Sequence, residues 1–272
     1  MRILSLFDGI SGCRQALKEL NIDCDYYSSE IDRFAIQISK ANHPDIKQIG
    51  DIKGVHVEDG WIFYNQNNNP MENGGSFKTG IDLLIGGFPC QSFSIAGNRK
   101  GFEDERGNLF FEALRILKEV KPKYFIFENV ASMSKDNQDF ISNKLGVKPV
   151  LINSDLFIQQ NRPRLFWTNI KIDELPKRPE WDSQYYQWRR TYFRENKSGV
   201  CPALTANMGT GGHNVPLKSK NLEDKLSVSE VAELQVFPAG YCDSVSKSQG
   251  YKALGNSFTV SIIKHILKSV SF

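Results

Sequence analysis

The residues best suited to chemistry lie in GGFPCQSFSIAGNRKGF, residues 86–102, directly after the apolar run IDLLI. Pro89 fixes the backbone angle just before Cys90. The Ser-, Gly-, Arg- and Lys-containing stretch behind it reads as an exposed loop, and an electropositive setting favours the thiolate over the thiol. That combination suits a nucleophile better than a packed core cysteine. Further along, YFIFEN (124–129) is an apolar run ending in Glu128 and Asn129, and QNRPR (160–164) sets Arg162 and Arg164 on one face of the strand that follows. A thiol, a carboxylate and a guanidinium converging on one cleft are the parts needed to activate a pyrimidine ring.

A second set of residues suggests a cofactor. The first apolar run, RILSLF (2–7), ends in the turn DGISG, whose glycines let a ligand approach the backbone. The spacing is not G-x-G-x-x-G, which argues against a dinucleotide. DYYSSE (25–30) ends in Glu30, placed to accept from ribose hydroxyls, and Asp51 follows the third strand, placed to meet an adenine amino group. One turn and two carboxylates at successive strand ends suit an adenosine-bearing cofactor without a phosphate chain, and S-adenosyl-L-methionine fits.

The elements that must hold these groups alternate. Strands at 2–7, 25–30 and near 50 interleave with helices over CRQALKELN and IDRFAIQISKAN. After an Asn- and Gly-rich stretch at 56–79, which reads as a solvent-exposed insertion, the rhythm resumes. It continues with IDLLIGG, the helix NLFFEALRILKEV (108–120), YFIFEN, a helix near 137–145, and the strands VKPVLIN and RLFWTNI. Periodicity fades between about 171 and 226. A helix returns at 229–236, where Ser227 and Glu230 have capping-box spacing, and another covers 257–268. The pattern predicts an α/β fold with a doubly wound, mostly parallel sheet. Residues 1–170 plus 245–272 would form the catalytic and cofactor-binding domain, and 171–244 a small irregular one.

Composition narrows the classes. The chain has 272 residues, 40% hydrophobic and 24% charged, as in ordinary soluble proteins. No apolar run approaches the roughly 20 residues of a membrane span, and the start is too short for a signal-peptide core. Five cysteines without CxxC spacing, and four scattered histidines, argue against a disulfide framework or a metal site and for a reducing cytoplasm. The net charge of +3 is unevenly spread: six Lys and Arg face only Glu195 between 188 and 220. Trp188, Tyr192 and Phe193 interleave with Arg189, Arg190 and Arg194, a pattern that grips phosphates and stacks on bases.

With these residues in view, the chain resembles the DNA cytosine-5 methyltransferases. GFPCQSFSIAG, FENV (127–130) and QNRPR look like signature blocks of that family. LFDGISG (6–12), SSEIDRFA (28–35), GDI (50–52), RGNLFFEALRIL (106–117), SVSEVAELQVFP (227–238) and GNSFTV (255–260) agree with it, in the family's order. The intact GFPCQ and GNS resemble bacterial or phage members, while SLFDGI and the short recognition segment also resemble the de novo branch. The chain departs from the pattern at Ser5, where many members carry an acid and where Asp8 would supply the charge, and at Glu233, where an arginine is common.

The resemblance implies an S-adenosylmethionine-dependent methyltransferase fold and a methyl transfer to carbon 5 of cytosine in duplex DNA, with the base flipped out of the stack. It implies that Cys90 adds to carbon 6, that Glu128 holds ring nitrogen 3 and the exocyclic amine, and that Arg164 donates to the oxygen at position 2, with Arg162 positioning. Phe7, Glu30, Ile31, Asp51 and Ile52 would hold the adenosine. Asp8, Gly9, Gly12, Pro89, Leu109, Asn256 and Ser257 would surround the methionine part. Gln91, Ser94, Arg99, Gln160, Arg189, Arg190, Thr205 and Asn207 are expected at the DNA, the last two within the Gly-rich CPALTANMGTGGHNVP (201–216). A monomer, with a companion restriction endonuclease acting on the same site, completes the expectation. A tRNA methyltransferase is the first alternative, but the Cys-Phe-Thr block of that branch is missing. A non-catalytic paralogue is the second, but such proteins lose Pro-Cys or Glu-Asn-Val, and both are intact.

Overall fold

The computed structural model describes residues 1–65, 74–89, 108–189, 191–196, 199–208 and 216–270. At its centre is a seven-stranded sheet. Its strands are β1 (Arg2–Leu6), β2 (Asp25–Ser29), β3 (Lys47–Gln48), β7 (Leu83–Gly86), β8 (Tyr124–Val130), β9 (Val150–Asn153) and β11 (Pro163–Thr168). Their order is β3-β2-β1-β7-β8-β11-β9. The first five are parallel, and β11 runs antiparallel to both β8 and β9. β7 is buried along its whole length and β1 at all but its first residue, which explains their near-continuous apolar sequences.

Helices α1 (Gly12–Glu19), α2 (Arg33–Asn42), α3 (Asn108–Val120) and α4 (Lys135–Leu145) connect these strands. Their ends follow local chemistry. Asp32 caps α2 by accepting from the amides of Phe34 and Ala35. Ser134 caps α4, which stops at Gly146 in a left-handed conformation. Two buried clusters fill the faces: Ile3, Leu17, Ile38, Val231 and Ile263 belong to one, Leu4, Ile52, Leu84, Phe110 and Phe127 to the other.

Three features differ from the sequence expectation. Residues 56–78 include an antiparallel meander, β4 (His56–Glu58), β5 (Trp61–Asn65) and β6 (Gly74–Lys78), with Ile62 and Phe77 buried. Its Asn and Gly content hides the alternation of WIFYN. The second is α6 (Lys247–Asn256), just before α7 (Val260–Lys268). Its sequence, KSQGYKALGN, carries two glycines and little apolar periodicity. Gly255 is there for space, since a Cβ would lie 2.3 Å from the Thr205 carbonyl carbon. The third is α5 (Val228–Glu233), which keeps the Ser227/Glu230 capping box but ends earlier than its apolar pattern, as Val236 turns left-handed.

Short sheets make up the segment between. β12 (Tyr185–Trp188) pairs antiparallel with β13 (Phe193–Asn196) and β15 (Pro216–Leu217), and β10 (Gln160–Asn161) pairs with β14 (Cys201–Pro202). Residues of 226–242 pack into the same buried cluster as α1, α6 and α7.

Candidate active site

A cavity of about 300 Å³ opens at the carboxyl ends of β1, β2, β7 and β8. This is the edge at which doubly wound sheets bind ligands. Two groups of side chains meet in it. Phe7, Gly9, Glu30, Ile31, Asp51 and Ile52, at and just beyond the ends of β1 to β3, line one part; Pro89, Glu128, Arg162 and Arg164, just after β7, in β8 and at the start of β11, line another, and Leu109 and Asn256 line it too.

The turn after β1 is tightly wound. Phe7, Gly9 and Ser11 all have left-handed backbones, with φ of 54°, 58° and 60°. A non-glycine residue there costs on the order of 1–2 kcal/mol, and such strain persists where the surroundings over-determine it. Here Glu30 does so. Its carboxylate accepts from the Gly9 amide at 2.7 Å and from the amides of Ile31 and Asp32 at 2.8 Å each. Burial raises the Glu30 pKa from the ordinary range, against the pull of those amides. Asp51 accepts from the Lys53 amide at 3.0 Å through Oδ1.

On the other wall, Glu128 and Arg164 form an ion pair, Oε1 to Nε, at 2.8 Å. Because β11 is antiparallel to β8, its first residues lie beside the last residues of β8. Gly87 makes room: a Cβ on it would lie 3.2 Å from Glu128 Oε2 and 3.1 Å from the Phe258 ring. Next to it, Phe88 packs against Phe110 and Phe127, and its carbonyl accepts from Asn129 Nδ2 at 3.2 Å. Together these fix the point at which the chain leaves Pro89. Cys90, Gln91, Ser94, Arg99, Arg190 and most of the 208–214 loop lie outside the described residues.

Arg162 lines the cavity yet is 2% exposed. Its guanidinium donates to the carbonyls of Leu204 (2.8 Å), Gly255 (3.0 Å) and Ser257 (2.8 Å). It thereby joins β11's leading edge to the segment that follows β14 and to the end of α6.

Four expected residues lie behind the surface rather than on it. Asp8 is buried, accepting from the hydroxyls of Ser5 (2.5 Å), Ser11 (2.6 Å) and Tyr26 (2.7 Å), and burial raises its pKa. Gly12 packs against Phe258 and Phe237. The Ser257 hydroxyl donates to the Leu254 carbonyl at 2.9 Å. Gln160 is fully buried and donates to the Leu234 carbonyl, so it does not reach a DNA-facing surface. Thr205, Asn207 and Arg189 are exposed and lie outside the cavity wall.

The cavity also uses residues that motif reading overlooked. Asp32 and Lys252 both line it and pair at 2.7 Å, linking the start of α2 to α6. Lys252 stands four residues before Asn256, on the same helical face, a signal that needs α6 to be recognised first. Among the described residues there is no cluster of metal ligands, the cysteines are free, and no helix is long and apolar enough to cross a membrane.

Comparison with known proteins agrees with this architecture. The family model for C-5 cytosine-specific DNA methylase matches residues 1–198 and 177–271. The chain is 33% identical to the type II methyltransferase M.Bsp6I of Bacillus sp. (strain RFL6), covering 99% of this chain and 98% of that protein. It is 29% identical to M.HhaI of Haemophilus parahaemolyticus, over 99% and 94%. Among solved structures, a candidate DNA modification methyltransferase encoded within an E. coli prophage superposes with a TM-score of 0.68 at 19% identity, covering 99% of this chain and 98% of that one. The S. pombe Dnmt2 methyltransferase gives 0.64 at 18% identity, with complete coverage of both, and at these identities the likeness is one of fold. With a sheet, a cavity and a family match that agree across nearly the whole chain, the protein belongs to the C-5 cytosine-specific DNA methylase family and is a DNA cytosine-5 methyltransferase.

Proposed function

We propose that the cavity holds S-adenosyl-L-methionine on its Glu30–Asp51 wall and a flipped cytosine against its Glu128–Arg164 wall. One observation carries this reading: the carboxylate–guanidinium pair and the adenosine-type carboxylates line the same cavity, next to the fixed Phe88-Pro89 anchor that leads into Cys90. The donor set suits the cofactor. Glu30 is a rigid acceptor for ribose hydroxyls, Asp51 keeps Oδ2 without a hydrogen bond among the described residues, and Phe7, Ile31 and Ile52 offer apolar faces to a base. When bound, the cofactor supplies an electrophilic methyl group.

The residues of this chain do the rest. The Cys90 thiolate adds to carbon 6, and the electron pair released into the ring makes carbon 5 nucleophilic. Once carbon 5 has taken the methyl group it gives up its proton, and the sulfur–carbon bond breaks to restore the aromatic ring and the thiolate. Glu128 holds ring nitrogen 3 and the amine, stabilising protonation at nitrogen 3 as charge builds. Arg164 is oriented by Glu128 at Nε and by the Pro163 carbonyl at Nη1, which leaves Nη2 for the oxygen at position 2. Arg162 is a positioning residue that acts through the three carbonyls it holds.

The unit at 171–244 is proposed to read the target, with Thr205, Asn207 and Arg189 facing the duplex and its last part packed on the catalytic body. Relatives named type II methyltransferases support a site-specific role in a restriction-modification pair; we further propose a monomer acting in the cytoplasm. The test is transfer of labelled methyl groups from S-adenosylmethionine to unmethylated mixed-sequence DNA and, in parallel, to bulk tRNA. Label on carbon 5 of cytosine in DNA is expected. Label in tRNA alone would contradict the reading.

A further inference from the structure

The β4–β6 meander takes no part in the chemistry above, yet it is rooted in the cavity wall. Asp51 and Ile52 line the cavity at the start of the 3-10 turn Ile52–Gly54, and only Val55 separates that turn from β4. Because Asp51 caps that turn through Oδ1, the position of the turn decides where its carboxylate sits.

The turn is gripped from two sides. On one side stands Arg115 of α3, whose Nη2 donates to the Val55 carbonyl at 2.8 Å and reaches the Ile52 carbonyl at 3.5 Å. Glu112 and Glu119 lock the guanidinium: Nε and Nη2 donate to Glu112 at 3.0 and 2.7 Å, and Nη1 to Glu119 at 2.9 Å. A planar fork held this way acts as a rigid clamp on carbonyl oxygens. On the other side stands the meander. Phe77 of β6 stacks on Tyr27 of β2, ring centroids 3.6 Å apart and planes within 12°. Ile62 and Phe77 share one buried cluster with Ile52, Val55 and Tyr27. Two residues beyond Tyr27, the Ser29 hydroxyl donates to the Gly50 carbonyl at 2.8 Å, tying the strand end to the residue before Asp51.

We propose that the meander and Arg115 are a positioning device for the cofactor's base, holding Asp51 and Ile52 at a fixed height above the sheet. The insertion is therefore part of the binding site's support rather than a solvent-exposed decoration. The inference rests on the reading of this cavity as the S-adenosylmethionine site.

Calorimetric binding of S-adenosylhomocysteine to the full-length chain tests it, with Tm recorded for every protein. Phe77→Ala and Arg115→Gln are expected to weaken binding about tenfold or more, which is about 1.4 kcal/mol. Phe77→Leu, which refills the space, is expected to restore most of the affinity. Ile141→Ala, a buried truncation in α4, should lower Tm without changing affinity. Wild-type affinity in folded Phe77→Ala and Arg115→Gln overturns the positioning role. So does a loss of affinity that merely follows Tm and is shared by Ile141→Ala. Should Arg115→Gln not fold, the Phe77 pair decides alone. Glu30→Ala separates the two readings: if it leaves wild-type affinity unchanged, the cofactor reading of the cavity falls. If it abolishes binding while the Phe77 and Arg115 variants bind normally, only the positioning role falls.

Discussion

Arg164 lies opposite Val130 in the β8–β11 ladder while Glu128 lies opposite Phe166, so the two charged residues are diagonal neighbours on one sheet face. That offset lets Arg164 Nε meet Glu128 Oε1 at 2.8 Å while Nη1 donates to the Pro163 carbonyl at 2.9 Å, and both charged residues line the cavity. An ordinary exposed ion pair contributes little. This one is mostly shielded, with side chains 16% and 14% exposed, and each partner fixes the orientation of the other.

Glu128→Gln preserves shape but cannot support protonation of the ring. It is expected to lower kcat by on the order of 10²–10³ with little change in the affinity for S-adenosylhomocysteine. Single-turnover kinetics beside calorimetry check this, and a loss of cofactor affinity with normal kcat would misplace the residue.

Glu30→Ala removes the acceptor of three amides and, in the proposed site, the partner of the ribose. The expected result is a KM for S-adenosylmethionine raised at least about tenfold, a lower Tm, and a KM for DNA that stays near that of the wild type.

Gly255→Ala places a methyl group against the backbone of Thr205 and Ala206, which cannot yield as a flexible side chain could. Overpacking of this kind costs about 1–3 kcal/mol. The recognition segment should shift, weakening DNA binding more than cofactor binding, as measured by parallel titrations with duplex DNA and S-adenosylhomocysteine.

His43 links α2 to the segment beyond α5. Its Nε2 lies 3.1 Å from the Tyr241 hydroxyl, which itself donates to the Ile10 carbonyl at 2.8 Å, so Nε2 carries the proton. Burial lowers the His43 pKa to about 4. The unfolded chain titrates near 6.5 and binds this proton first as pH falls. The stabilisation by neutral His43 is therefore full above that value and is lost between about 6.5 and 4, by up to roughly 3 kcal/mol. Wild-type Tm should drop over this window, and His43→Phe should show a flatter profile.

Much of this was legible in the sequence, and what was not has physical causes. Strands such as RILSL and LLIG announce themselves because both faces are buried, and Glu30, Asp51 and Glu128 stand at strand ends where a doubly wound sheet binds ligands. Pairing directions across a sheet leave no mark on single strands, so the antiparallel β11 and its consequence for Arg164 could not be read. The family resemblance puts Asp8 beside the methionine part, but Ser5, Ser11 and Tyr26 turn it inward. Gln160 and Arg162 are polar, and only tertiary packing reveals that they serve a joint between segments far apart in sequence. Helix α6 was hidden by Gly255, the residue its close packing requires.

The central claim, covalent attack by Cys90 on a cytosine held by Glu128 and Arg164, is tested most directly with duplex DNA carrying 5-fluorocytosine at the target. Fluorine at carbon 5 cannot leave as a proton does, so the ring cannot regain aromaticity after methyl transfer. Intact-mass and peptide mass spectrometry should find a stable protein–DNA adduct that depends on S-adenosylmethionine, maps to Cys90 and is missing in Cys90→Ala. An adduct at another residue, or Cys90→Ala methylating ordinary DNA at the wild-type rate, would contradict the account.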